Sequence, residues 1–156
     1  MSDGTLAIDL NSPDDTRRLA RMLGEALQAG DFIALYGPLG AGKTCFVQGL
    51  AQGLGVTDPV TSPTFIIMRV YRSAPVLCHV DAYRLCRGAD LEDIGLADWL
   101  DQAVIAVEWA ENVEGALPAE RLEVHLEHTE GGRRAAFLAR GVRAQTLLER
   151  LRHADI

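Results

Sequence analysis

Residues 37–44 read Gly37-Pro-Leu-Gly-Ala-Gly-Lys-Thr44, which fits the pattern G-x-x-x-x-G-K-[ST] of a phosphate-binding loop. The apolar run from Phe32 to Tyr36 precedes it and predicts one buried strand. Apolar residues recur at helical spacing from Phe46 to Leu54, and Gly53 and Gly55 predict the end of that helix. Because the pattern requires a strand, a glycine-rich loop and a helix in this order, we interpret residues 37–44 as a P-loop.

The residue types of this loop predict its chemistry. Its glycines let the backbone wrap closely, so that successive N–H groups point at phosphate oxygens, and the helix adds the positive end of its dipole. We expect Lys43 to reach the β- and γ-phosphates of a nucleotide and the Thr44 hydroxyl to bind Mg²⁺. Lys43 is the only lysine among 15 basic residues, and it stands where a compact ammonium suits better than a planar guanidinium.

Length and composition predict a single soluble domain covering residues 1–156. Of the residues, 48% are hydrophobic and 24% are charged, which is typical of globular proteins. No apolar run approaches the roughly 20 residues that span a bilayer, and the N-terminus lacks the features of a signal peptide. We therefore expect no membrane association.

Cysteine usage and net charge narrow the functional classes. Cys45, Cys78 and Cys86 form an odd set without CxxC spacing, which argues against a disulfide framework or a zinc site and favours a reducing cytoplasm. The net charge of −7 argues against a broad nucleic-acid-binding face. If RNA is involved, we expect a partner protein to hold it.

The rest of the chain predicts a mixed sheet with helices on both faces, an α/β fold of the P-loop nucleotide-hydrolase type. Leu122–Glu127 alternates strictly, which predicts a strand with one wet face. The other predicted elements are a strand at Leu6–Leu10, a helix from Ser12-Pro13 to Gly30, a hairpin of strands Phe65–Tyr71 and Val76–Val80, a helical stretch at Leu91–Leu100, a strand at Val104–Val107, a turn at Glu130–Arg133 into a strand ending near Ala139, and a C-terminal helix around Leu147–Leu151.

Two carboxylates follow predicted strands and complete the expected site. A P-loop needs an acid at the end of a buried strand to hold Mg²⁺ directly or through water. Val104–Val107 is followed by Glu108, the cleaner of the two patterns, so we assign Glu108 to the metal. Asp81 follows Val76–Val80 and is the candidate for orienting or deprotonating the attacking water, or for a second metal contact. Lys43, Asp81 and Glu108 are therefore the predicted catalytic residues.

Other residues near these motifs have two interpretations each. Thr61 and Thr64 follow the P-loop helix, where a switch that senses the γ-phosphate is common, but turn formation around the intervening proline explains them equally well. Trp109 could stack on a ligand, but we expect core packing. His79 lies within a predicted strand and is interpreted as structural. Arg84 could pair with Asp81, act on phosphate or form a surface ion pair.

Five stretches, taken in order, resemble one known family. They are Gly37–Thr44, Thr61–Phe65, His79–Leu85, Leu91–Leu96 and Val107–Glu111. Together they resemble the TsaE (YjeE) family, the ATPases of bacterial tRNA threonylcarbamoyladenosine biosynthesis. The resemblance covers nearly the whole chain, and the ordered set around a P-loop is more specific than any single motif in it.

The resemblance implies a cytoplasmic ATPase that uses ATP and Mg²⁺ and works with two partners, TsaD and TsaB. In such systems TsaD transfers a threonylcarbamoyl group to the adenosine next to the anticodon of tRNAs that read codons beginning with A. TsaE-like proteins bind at the TsaD–TsaB interface, and their ATP cycle supports repeated turnover. The tRNA would then be contacted only through these partners.

The resemblance also implies roles for single residues. The metal-binding and catalytic positions of the family fall on Thr44, Glu108 and Asp81, in agreement with the assignment from the residues themselves. Cys45 stands where a hydroxyl residue is common, and Phe65 where tyrosine is frequent. The positions that the family uses for nucleotide contacts are Leu39, Gly40, Ala41, Gly42, Lys43, Thr44 and Cys45, with Pro13, Gly132 and Arg133 from the N-terminal segment and the late hairpin.

Three alternative functions remain to be compared. A GTPase usually needs an Asn-Lys-x-Asp motif to read guanine, and this chain has no second lysine to build one. A small-molecule kinase needs an arginine-rich lid, for which Arg133-Arg134 is the nearest candidate. A nucleotide-dependent binding switch with incidental hydrolysis needs the same loop, metal and acids as an ATPase, so the sequence does not separate the two.

Overall fold

The structure is a computed structural model and describes residues 4–61, 67–85 and 93–154. Its strands are β1 (Thr5–Leu10), β2 (Phe32–Tyr36), β3 (Met68–Tyr71), β4 (Val76–Asp81), β5 (Ala103–Glu108), β6 (Arg121–Thr129) and β7 (Gly132–Arg140). Its helices are α1 (Pro13–Ala26), α2 (Lys43–Leu54) and α3 (Val142–Arg152), with 3-10 helices at Leu96–Trp99 and Ala110–Ala116. The predicted strand start at Phe65, the predicted switch residue Thr64, Cys86 and the predicted helix start at Leu91 lie outside the described residues.

The described strands form one seven-stranded mixed sheet in the order β1-β7-β6-β2-β5-β4-β3. The strands in the centre are parallel, because β2 pairs with both β5 and β6, and β5 pairs with β4. The outer pairs β3–β4, β6–β7 and β1–β7 are antiparallel. The predicted mixed sheet is therefore confirmed, and β2, which leads into the P-loop, lies at its middle.

Helical elements cover both faces of the sheet, as expected, but unequally. Side chains of α1, α2 and α3 share one buried apolar cluster with alternate residues of β2 and β5, such as Leu35 and Ala106. The other residues of these strands, such as Ala34 and Ile105, face a second cluster to which the two 3-10 helices contribute. This alternation explains why β2 and β5 read as unbroken apolar runs, since both faces of each strand are buried.

The predicted starts of α1 and α2 agree with the structure, the predicted end of α1 is wrong, and the predicted end of α2 is right at Gly55 but not at Gly53. Ser12 caps α1, and its hydroxyl accepts a hydrogen bond from the Asp15 backbone N–H at 3.1 Å. This helix ends at Ala26 with Leu27 as its cap, not at Gly30. In α2 the cap is Gly55, in the left-handed conformation at φ 84°, while Gly53 lies inside the helix.

Glycines of α2 allow α1 and α2 to pack closely side by side. A Cβ on Gly49 would lie 2.5 Å from the Arg17 carbonyl oxygen and 2.6 Å from the Ala20 Cβ. A Cβ on Gly53 would collide with the Arg21 carbonyl oxygen, so this glycine is a packing residue and not a stop signal. Because the contacts advance along both helices in the same direction, α1 and α2 run parallel and begin at the same end of the molecule.

One expectation about β6 is wrong. Glu123 was expected on a wet face, but it is only 2% exposed. Its carboxylate accepts hydrogen bonds from Arg121 at 3.1 Å and Arg140 at 2.6 Å and contacts His125 at 2.9 Å. Burial raises the pKa of Glu123, but the hydrogen bonds from His125 and Arg140 and the positive charges of Arg140 and Arg121 outweigh it and leave the pKa below its usual value.

No helix in the described part of the chain is long and apolar enough to cross a membrane.

Candidate functional site

The P-loop lies between the end of β2 and the start of α2. Gly40 and Gly42 have φ values of 79° and 106°, which non-glycine residues rarely adopt. A Cβ at Gly42 would meet no heavy atom within 4 Å, so the space beside the loop is open to a ligand. Since the first amides of α2 have no partner within their own helix, the loop presents N–H groups and the positive end of the helix dipole to that space.

Lys43 is held inside the loop. It is only 5% exposed, and its Nζ donates to the carbonyl oxygens of Gly37 at 2.5 Å and Pro38 at 2.9 Å. Burial lowers the pKa of Lys43, and the negative charges of Glu111, Glu108 and Asp81 oppose that effect. The ammonium is therefore held by the loop's own carbonyl oxygens, and the charges of the surrounding carboxylates favour its protonated form.

Thr44 and Glu108 are joined directly. The Thr44 hydroxyl donates to both carboxylate oxygens of Glu108, at 2.9 Å and 3.1 Å. Glu108 ends β5, which is paired to β2 in parallel, so both strands deliver their carboxyl ends to the same edge. The hydroxyl predicted to bind a metal and the carboxylate predicted to bind it are thus adjacent.

Asp81 ends β4 and pairs with Glu108 in the parallel ladder. Its Oδ1 accepts a hydrogen bond from the Tyr83 backbone N–H at 3.0 Å. Asp81, Lys43, Thr44 and Glu108 all line one cavity of about 390 Å³, which we call the phosphate cleft. The structure thus brings the predicted catalytic and metal-binding residues together at one edge of the sheet.

The donor set of this cleft fits Mg²⁺. The ion prefers hard oxygen ligands, keeps several waters and is commonly bound by one or two carboxylates together with substrate phosphates. Within residues 4–61, 67–85 and 93–154, no group of three or more His, Cys, Asp or Glu side chains could hold a metal alone. A site of one hydroxyl and one or two carboxylates is therefore of the kind that Mg²⁺ uses with a nucleotide, and not of the kind that zinc uses.

A second cavity, of about 380 Å³, adjoins the loop on its other side, and we call it the flanking cleft. It is lined by Pro13 at the start of α1 and by Gly132 and Arg133 of the late hairpin, and it shares Gly40, Gly42 and Cys45 with the phosphate cleft. The remaining predicted loop contacts, Leu39 and Ala41, differ in exposure: Leu39 lines the phosphate cleft and is 83% exposed, whereas Ala41 is buried in the core.

Side chains tie the flanking cleft to the loop. Arg133 Nε donates to the Gly40 carbonyl oxygen at 3.3 Å, and His128 Nε2 lies 3.3 Å from the Leu39 carbonyl oxygen. The Cys45 thiol donates to the Pro13 carbonyl oxygen at 3.4 Å. The residues that the resemblance assigned to nucleotide contacts outside the loop therefore do border it.

Trp109 was expected in the core, and the structure places it in the phosphate cleft as well. Its ring packs partly against the second apolar cluster, but its centroid lies 3.9 Å from Lys43 Nζ and 5.0 Å from the centroid of the Tyr83 ring. Trp109 adopts φ 58°, the one positive φ of a non-glycine residue in the described chain, directly after Glu108. The only sequence signal that Trp109 lines the cleft was its position next to Glu108, the acid at the end of a predicted strand.

His79 was interpreted as structural, and the structure shows it in contact with the site. It is fully buried, and its Nε2 lies 2.5 Å from Glu108 Oε2. The sequence signal for this contact was spacing. His79 stands two residues before Asp81 and therefore faces the same side of β4. Thr61 and Arg84 are exposed, and the interpretations offered for them stay predictions.

Comparisons with known proteins identify one family. The family model described as threonylcarbamoyl adenosine biosynthesis protein TsaE matches residues 10–136. The chain is 45% identical to the tRNA threonylcarbamoyladenosine biosynthesis protein TsaE of Streptomyces coelicolor over 90% of this chain and 96% of that protein. It is 40% identical to the protein of the same name from Bacillus subtilis, over 93% of each chain.

A solved structure shares the fold. The crystal structure of Bacillus subtilis YdiB superposes with a TM-score of 0.83 and 34% identity, covering 99% of each chain. The family match and the two relatives each span most of the chain, and they name the family that the five motifs resemble. The chain therefore belongs to the TsaE family of tRNA threonylcarbamoyladenosine biosynthesis proteins.

Proposed function

We propose that this chain is a Mg²⁺-dependent ATPase that supports threonylcarbamoylation of the adenosine next to the anticodon, acting in the cytoplasm with the TsaD–TsaB complex. The observation that carries the proposal is the convergence of Lys43, Thr44, Asp81 and Glu108 around one cleft beside the P-loop. The pathway follows from membership of the TsaE family. Hydrolysis, the metal and the partners are the parts that experiments must test.

In this proposal the residues around the phosphate cleft divide the tasks of binding and hydrolysis. The loop amides and the Lys43 ammonium bind the β- and γ-phosphates, and Thr44 and Glu108 hold the metal. Mg²⁺ bound there neutralises negative charge on the phosphate oxygens. Asp81, adjacent to Glu108 but on the next strand, orients the attacking water and accepts its proton, or adds a second metal contact.

The flanking cleft is proposed to take the nucleoside part of ATP. It adjoins the loop through Gly40 and Gly42, so a nucleotide with its phosphates on the loop amides extends into it. Pro13, Cys45, Gly132 and Arg133 would contact it there. They are the residues that the resemblance to the family implies for nucleotide contacts.

The hairpin arginines do not support a small-molecule kinase. Arg134 Nε donates to Asp9 Oδ1 at 3.0 Å, which ties it to β1 and away from the phosphate cleft. Arg133 donates to the carbonyl oxygens of Gly40 and Gly132. An arginine-rich lid needs guanidinium groups directed at the transferred phosphate, and these two have other partners.

The first experiment is ATP hydrolysis by the purified chain with Mg²⁺ or with EDTA, alone and with the TsaD–TsaB pair. We expect slow Mg²⁺-dependent turnover that rises when the pair is added. Turnover that is indifferent to the pair would remove the proposed partnership and leave a P-loop ATPase. If binding of ATP were undetectable by calorimetry under all these conditions, the proposed nucleotide site would be wrong.

A further inference from the structure

His79 and Glu108 form a buried pair beneath the phosphate cleft. His79 is fully buried, Glu108 is nearly so, and His79 Nε2 lies 2.5 Å from Glu108 Oε2. His79 lies on β4 opposite Ala106 of β5, two residues before Asp81. It therefore supports the site from within the sheet and does not line the cleft.

The carboxylate of Glu108 is constrained from two directions. The Thr44 hydroxyl contacts Oε1 at 2.9 Å and Oε2 at 3.1 Å from the side of α2. His79 contacts Oε2 from β4. Two neighbours on different elements fix the rotation of a carboxylate more closely than one, because turning it would break contacts on both sides.

The other ring nitrogen identifies which atom carries the proton. His79 Nδ1 is buried and has no hydrogen-bond partner in the described part of the protein. A neutral imidazole has one N–H group, and on Nε2 that group can donate to Glu108 Oε2. On Nδ1 it would be a buried donor without a partner, whereas a lone pair on Nδ1 costs less to bury.

We propose that His79 is a positioning residue for Glu108. Its Nε2–H donates to Oε2 and holds the carboxylate in the orientation in which Glu108 meets the Thr44 hydroxyl and the metal. The inference rests on the proposed nucleotide and Mg²⁺ site. Loss of an outer hydrogen bond of this kind costs about 10- to 100-fold in metal affinity or activity.

The test compares His79→Leu with His79→Gln. The leucine removes the donor, whereas the glutamine amide restores an N–H group near the position of Nε2. Cys78→Ala is the matched control, since Cys78 is the preceding residue on the same strand, equally buried, and belongs to the cluster on the other face. For each protein, calorimetry measures ADP affinity in EDTA and along a Mg²⁺ titration.

We expect the Mg²⁺ concentration for half-maximal tightening of ADP binding to rise about 10- to 100-fold in His79→Leu. His79→Gln should return to within a few-fold of the native protein, and Cys78→Ala should match it. ADP affinity in EDTA should stay unchanged in all of them. An unchanged Mg²⁺ dependence in His79→Leu, or an equal loss of affinity in EDTA, would show that His79 only fills space.

A measurement on the native protein decides the matter if the variants do not fold. ¹⁵N NMR of the imidazole should show hydrogen on Nε2 and none on Nδ1. The opposite tautomer would make His79 an acceptor and overturn the proposal. Failure of the proposed function looks different, because the native protein itself would then bind no ADP or gain no affinity from Mg²⁺.

Discussion

Asp81 and Glu108 are direct partners across the parallel pairing of β4 and β5, so two carboxylates stand side by side at the mouth of the P-loop. Their surroundings differ. Glu108 is buried against Thr44 and His79, whereas Asp81 is half-buried and accepts from the Tyr83 backbone. The two acids therefore have different environments, which is the basis for proposing a different task for each.

Glu108→Ala should abolish Mg²⁺-dependent nucleotide binding. The change removes the carboxylate that contacts Thr44, so we expect a loss larger than the ~100-fold upper range for an outer-shell partner. ADP titrations with Mg²⁺ and with EDTA measure it, and Glu127→Ala, an exposed acid of β6, is the control. Unchanged Mg²⁺-dependent binding would remove Glu108 from the site.

Asp81→Asn should separate binding from hydrolysis. Asparagine keeps a similar shape but is a poor proton acceptor, so turnover should fall by roughly 10²- to 10⁴-fold while ADP affinity stays close to native. Single-turnover hydrolysis and calorimetry measure the two quantities. If this variant fully supports tRNA threonylcarbamoylation with TsaD and TsaB, the chain acts as a nucleotide-dependent binding switch and hydrolysis is incidental.

Arg133→Ala should weaken nucleotide binding by about tenfold, or ~1.4 kcal/mol. Arg133 links the β6–β7 hairpin to the Gly40 carbonyl and lines the flanking cleft, so its loss loosens the loop on that side. Arg134→Ala is the matched control, because Arg134 is the next residue on the same strand but pairs with Asp9 and not with the loop. An equal loss of nucleotide affinity in both variants would mean that the hairpin arginines contribute to binding only through their positive charge.

Glu123→Gln should lower the free energy of unfolding at pH 7 by about 3 kcal/mol, since breaking a buried ion pair typically costs 3–5 kcal/mol. Because folding holds the pKa of Glu123 below its unfolded value, the stabilisation is present above an unfolded pKa of about 4.3. It is lost as the pH falls through the lower folded-state pKa.

Urea unfolding between pH 3 and 7 tests this prediction. The native protein should lose stability more steeply with acid than Glu123→Gln does. Glu127→Gln, an exposed acid on the same strand, should change the free energy of unfolding by less than about 0.5 kcal/mol. Identical pH profiles of the native protein and Glu123→Gln would contradict the depressed pKa.

Gly49→Ala should destabilise the fold by about 1–3 kcal/mol, the usual cost of inserting a methyl group into a tightly packed contact. Its new Cβ would meet the Arg17 carbonyl oxygen and Ala20 of α1. Gly115→Ala is the control, because a Cβ there meets nothing within 4 Å. Thermal unfolding measures both, and equal melting temperatures would show that α1 moves aside without cost.

The sequence correctly predicted those features of the fold that depend on a few neighbouring residues. The P-loop, the Ser12 cap and the continuous apolar runs of β2 and β5 each carry their signal within a few residues. The convergence of Asp81 and Glu108 also followed, because the carboxyl ends of parallel strands meet at one edge.

The errors arose where distant segments meet. Alternation in β6 shows which residues share a face but not that Arg121 and Arg140 cover Glu123 there. Gly53 resembled a stop because its close contact is with another helix, far away in sequence. The contact between His79 and Glu108 depends on the pairing of β4 with β5, which no single stretch reveals.

The glycine-mediated packing of α1 against α2 also limits how the nucleotide site responds to a ligand. The two helices are parallel, and their first turns border the two clefts, with the Cys45 thiol donating a hydrogen bond to the Pro13 carbonyl oxygen between them. With no side chain between the backbones at Gly49 and Gly53, one helix has little freedom to slide or tilt against the other. In the proposed function, they form one wall of the flanking cleft that is already assembled before a nucleotide binds.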